Sequence, residues 1–85
     1  MNRDLVTNIN AQAAGSATMR VINALQDVSE AERVIAATAA FRFVLEAKGF
    51  PVSDAMEIAN RVMYTRDGGL MPEFFAVREF AKREM

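Results

Sequence analysis

Two guanidinium groups, an aromatic ring and a flexible turn converge at one place in this sequence: Arg61, Tyr64 and Arg66, followed by Asp67-Gly68-Gly69. Arginine offers a planar fork of donors that suits phosphate or carboxylate, and tyrosine offers a ring for stacking, so the cluster is a candidate anion grip. The plainer account is a solvated helix end whose cations complement the negative pole of the helix dipole. Composition closes off most other chemistry. The chain has no His and no Cys, the residues that supply most general bases near neutral pH, most thiol nucleophiles and most transition-metal sites. No metal site and no cofactor are expected. With only four Gly and two Pro there are few loops from which to build a pocket, and the expectation is a protein that is not an enzyme.

The elements that must carry these residues read as helices throughout. Leu5, Ile9, Ala13, Ala17, Val21 and Leu25 form a four-residue row that predicts a first helix over about 5–26. Its tract Ala11-Gln12-Ala13-Ala14-Gly15-Ser16-Ala17 is either a place where another helix approaches closely or a break at Gly15 and Ser16. The second helix has the best-marked ends: Ser29 with Glu32 is a capping box, and Gly49-Phe50-Pro51 is a Schellman stop in which Phe50 folds back on Leu45. Between Val34 and Leu45 the only polar side chains are Thr38 and Arg42. A helix apolar nearly all round is expected to be central and covered on several sides. Twelve residues reach about 18 Å, short of about 30 Å of hydrocarbon, and Arg42 interrupts them, so a membrane span is rejected.

A third helix is expected after Ser53 as its cap, with Ala55, Met56, Ala59, Val62 and Met63 as the buried stripe. The chain turns at Asp67-Gly68-Gly69. Pro72 then opens a fourth helix to about Arg83, with Phe74, Val77, Phe80 and Ala81 at helical spacing and Phe75 off the stripe. No segment alternates with period two. The fold expected is one all-α domain over 1–85: a compact bundle of three or four helices around a central apolar helix at about 30–48.

Net charge is −1, and acids and bases are interspersed along the chain. No segment carries the single-sign field of a surface for nucleic acid or anionic membrane. Met1-Asn2-Arg3-Asp4 puts an acid where a secretory signal wants bases, so a cytoplasmic protein is expected. The second and third helices could form a helix-turn-helix, but Asp54 and Glu57 would stand beside Asn60 and Arg61 on its reading face and repel phosphate. Lys48 also takes a place before the turn that such motifs give to an apolar residue, and the link reads as longer than their tight turn. The run Leu45-Glu46-Ala47-Lys48-Gly49-Phe50-Pro51, with Ala55 and a later apolar helix, resembles the Met-Gly-Phe docking loop of ubiquitin-associated domains. Lys48 stands where that family has an apolar residue, and an ordinary Schellman stop yields the same Gly-Phe-Pro, so no family is assigned.

The apolar surplus points to a function. A 9.4 kDa chain buries about 63% of its unfolded surface, and about 125 kcal/mol from apolar burial is cancelled by about 1.5 kcal/mol per residue of ordering entropy. There is no disulfide to close the gap. Phe41 and Phe43 lie about 200° apart around one helix, and Phe74 and Phe75 about 100° apart around another, so some rings must face away from a single core. These features predict a small regulatory, adaptor, assembly or inhibitor protein, of a format that suits bacterial or phage accessory proteins. It would act by protein–protein contact as a homodimer, a higher homo-oligomer or the occupant of a larger protein target. The expected contact residues are Ala13 and Ala17 on the first helix and Phe75 on the fourth. The alternatives are a helix-turn-helix regulator and an oligomer that holds a small anion through Arg61, Tyr64 and Arg66.

Overall fold

Side-chain caps decide where the first helical pattern breaks. In the computed structural model, which describes residues 3–85, it divides into α1 (Arg3–Thr7) and α2 (Ala11–Leu25). The Asn10 side chain accepts from the Ala13 N–H at 2.8 Å and so opens α2. The break is therefore at 8–10, not at Gly15 and Ser16, and α2 runs straight through Gly15. Met1 and Asn2, half of the stretch read above against a secretory signal, lie outside the described residues.

Gly15 is buried, and a Cβ built on it would come within 3.1 Å of the Glu73 Cβ. The small-residue tract thus brings α2 close to α5 (Pro72–Glu84), the most extensively packed helix pair among the described residues. The inward stripe of α2 is Ala11, Ala14, Gly15, Thr18, Ile22 and Leu25, while Ile9, Ala13, Ala17 and Val21 are exposed on the other side. Thr18 turns its hydroxyl back onto the Ala14 carbonyl at 2.8 Å, which spares the packed face an unpaired donor.

The next helix, α3 (Glu30–Lys48), has the ends that its sequence specifies. The Ser29 N–H donates to Glu32 Oε1 at 3.1 Å and the Glu32 N–H to Ser29 Oγ at 3.4 Å. Gly49 takes φ 64° and ψ 36°; its N–H donates to the Glu46 carbonyl and the Phe50 N–H to the Leu45 carbonyl, the two bonds of a Schellman stop. The expectation that this helix is the buried axis of the bundle is overturned for the single chain. None of its residues is buried, and only Arg33, Ala39 and Leu45 are half-buried. The core lies elsewhere, on Phe50, Ile58, Phe74 and Val77.

After a three-residue link, α4 (Val52–Met63) begins one residue before Ser53, which is therefore inside the helix and not its cap. Its inward stripe is Ala55, Ile58, Ala59 and Val62, with Met63 beside it; Met56, expected there, is exposed. The spacing i, i+3, i+4, i+7 selects Ile58 and leaves Met56 about 160° away from it. Tyr64 and Leu70 pair as one antiparallel bridge across the turn into α5. Pro72 is the first residue of α5, with Phe74 and Val77 buried and Phe80 and Ala81 half-buried as expected. Five helices and no strand make up the described residues, so the fold is all-α.

Candidate functional site

The conspicuous surface is α3. Its Val34, Ile35, Phe43 and Val44 are between 59% and 70% exposed, and Phe41 is 39% exposed. The one hydroxyl in this stretch, on Thr38, is bonded back to the Val34 carbonyl at 2.8 Å, so it leaves the helix surface apolar. Two anchors hold α3 to the body, one at each end. Near its N-terminus, Arg33 donates from Nε to the Leu25 carbonyl at 3.0 Å and from Nη2 to the Gln26 carbonyl at 3.2 Å. These are carbonyls at the C-terminal end of α2, where a cation also meets the negative pole of the dipole. At the other end Phe50 and Leu45 tie the helix to the core.

Hollows flank α3. A groove of about 580 Å³ is lined by Ile35, Ala39, Phe43, Phe50, Pro51 and Val52 among others. A cleft of about 430 Å³ has Val44, Leu45, Phe50, Ala59, Met63 and Phe74 in its wall, with Thr18 and Lys48 as its polar residues. The accessible surface of the chain is 6226 Å², against about 5,000 Å² for a folded monomer of this mass. The radius of gyration is 13.4 Å, where a closely packed chain of this length has about 12 Å. Both quantities describe a molecule more open than an average folded monomer of its size.

The residues singled out in the sequence are placed as follows. Ala13 and Ala17 are exposed on the side of α2 that faces away from α5, and Phe75 is 50% exposed on α5 with the Arg78 guanidinium 5.5 Å from its ring centre. Arg61, Tyr64 and Arg66 do share one shallow depression, with Asn60 and Thr65. Within it, however, Arg61 is ion-paired with Glu57. The turn's amides are also turned inward: the Gly68 N–H goes to the Thr65 carbonyl at 3.0 Å and the Gly69 N–H to Thr65 Oγ1 at 3.1 Å. An anion arriving there would meet side chains without a backbone cradle. Among the described residues no group of three or more carboxylates is placed to hold a metal. The link between α3 and α4 is shorter than the sequence suggested, which fits a helix-turn-helix, but Asp54 and Glu57 keep their places in the first turns of α4.

Sequence reasoning missed the exposure of α3 and the role of Arg33. The signal for the second was present: an arginine four residues past a helix cap lies within reach of the preceding helix's last carbonyls. Among the described residues no helix is long and apolar enough to cross a membrane, so α3 is not a lipid-facing span. Compared with known protein families, curated proteins and solved structures, the chain matches none.

Proposed function

We propose that this protein is a small non-enzymatic interaction module that works by protein–protein contact through α3, in the first instance as a homo-oligomer. One observation carries the reading: a nineteen-residue helix with apolar residues on several faces is fixed near both ends and largely open to solvent between them. Exposed apolar patches of this extent mark association surfaces. A helix apolar over most of its circumference is ordinarily covered, and a second chain is the cover proposed for α3. Ala13 and Ala17 on α2 and Phe75 on α5 are also exposed, at separate places, and are open to a further contact.

Glutamate substitutions on two faces of α3, Val34→Glu and Phe43→Glu, test the reading by light scattering. At least one is expected to reduce the assembly to a single chain while circular dichroism keeps its helical content, because an unpaired carboxylate in an apolar contact is costly. If both leave the mass unchanged and Phe75→Asp reduces it, the contact lies on α5 and not on α3. A helix-turn-helix regulator is the second reading, favoured by the three-residue link. Retention on duplex DNA that falls steeply with salt and is weakened by Arg61→Ala would establish it.

A further inference from the structure

One face of α3 complements itself when the helix is reversed. Glu30, Val34, Ala37, Phe41, Val44 and Lys48 follow one another at intervals alternating between four and three, the repeat of a coiled-coil seam. All six are exposed. Turned end for end about Ala39, the midpoint of the helix, the seam places Val34 against Val44, Ala37 against Phe41 and Glu30 against Lys48. Branched side chains meet branched ones, the small one meets the large one, and both ends join opposite charges. The reversed helix dipole adds to the match.

We propose that a second copy of this chain lays its α3 antiparallel along this seam, forming a two-fold dimer that covers Val34, Ala37, Phe41 and Val44. The inference rests on the proposed function and names the partner and its register. Area leaves room for a second copy: each chain exposes about 1,200 Å² more than an average folded monomer of its mass, and a standard interface takes about 800 Å² per partner. Charge selects the face. The opposite seam, through Glu32, Ile35, Ala39, Arg42 and Glu46, reverses about the same midpoint to set Glu32 against Glu46, two carboxylates. Lys48 has an interaction inside its own chain, and its ammonium has three donors, so it serves Glu30 of the second copy as well. Val44 and Lys48 also line the apolar cleft, so a helix on the seam covers the α3 side of that cleft.

A chain without cysteine lends itself to a direct test of register. The double variant Val34→Cys, Val44→Cys is expected to form a disulfide-linked dimer under mild oxidation, whereas each single variant stays a monomer on a non-reducing gel. In the antiparallel register like positions lie ten residues, about 15 Å, apart along the axis, and so do the two cysteines within one helix. Disulfides need Cα atoms within about 7 Å. If that pair perturbs folding, Glu30→Cys with Lys48→Cys reads the same register at the ends, where the two cysteines of one helix lie eighteen residues, about 27 Å, apart. A double variant that does not cross-link although light scattering shows a dimer overturns the seam and leaves the interaction reading standing. Cross-linking through Ile35→Cys with Phe43→Cys in its place does the same. A monomer at every concentration overturns both.

Discussion

Helices α3 and α5 are both rich in phenylalanine, and the structure treats them in opposite ways. In α5 the apolar residues Phe74, Val77, Phe80 and Ala81 form one stripe against α2, and the outer face carries Arg78, Glu79, Lys82 and Arg83 in ion pairs with one another and with Glu84. In α3 the apolar residues surround the axis, and the helix is secured by its ends alone. A narrow stripe is satisfied by one neighbour, and α2 supplies it. A helix apolar all round needs several neighbours, and the chain has none left to give. The difference separates the apolar surface that this chain covers by itself from the apolar surface that it leaves open.

The two phenylalanines Phe74 and Phe41 are expected to differ in kind. Phe74→Ala should cost about 3–5 kcal/mol, by the same amount at every protein concentration, since the ring is buried inside one chain. Phe41→Ala should cost more where the chain is associated than once it is diluted to monomer, because 39% of the residue is open in the single chain. Urea midpoints at high and low concentration distinguish the two, and equal behaviour would erase the contrast. Next in size is the α2–α5 contact. Gly15→Val should destabilise by about 1–3 kcal/mol through overpacking against Glu73, without changing the oligomeric mass. A change in mass would mean that α2 also takes part in the interface.

Smaller effects belong to the cap of α3. Ser29→Ala should cost about 1 kcal/mol. The Ser29 hydroxyl and N–H, both bonded to the Glu32 carboxylate, hold its pKa below the usual value. A folded-state pKa lower than that of the unfolded chain means the cap stabilises fully at neutral pH. That contribution fades as pH falls through the carboxylate range and the folded-state pKa. Ser29→Ala should remove the hydroxyl's share of the acid sensitivity and leave that of the backbone N–H; an unchanged acid limb of the stability curve would show that the hydroxyl bond does not form in solution.

Much of this fold could be read from residues a few places apart. The capping box, the Gly49 stop, Pro72 at the start of α5 and the Phe74–Val77 stripe are local features, and the chain builds each where the sequence puts it. What escaped depended on distant parts. Gly15 could be a hinge or a close contact, and only the position of Glu73 decides for the contact. The break before α2 falls at Asn10 because its side chain outcompetes helix continuation, a choice that helical periodicity alone does not display. Spacing alone predicted that Arg61, Tyr64 and Arg66 share a surface; the inward turn of the Gly68 and Gly69 amides was not visible from residue types. Apolar periodicity showed that α3 carries apolar residues on several sides. It was silent on whether their cover lies in the same chain.

The melting temperature of the unmodified protein, followed across protein concentrations with its mass in solution, tests most directly whether another chain completes α3. For a dimer, each tenfold rise in concentration adds about 1.4 kcal/mol per pair of chains, which raises the melting temperature by roughly 3–6 °C for a domain of this size. The expected result is that rise together with a mass of two chains. A mass of 9.4 kDa and a melting temperature independent of concentration would contradict it.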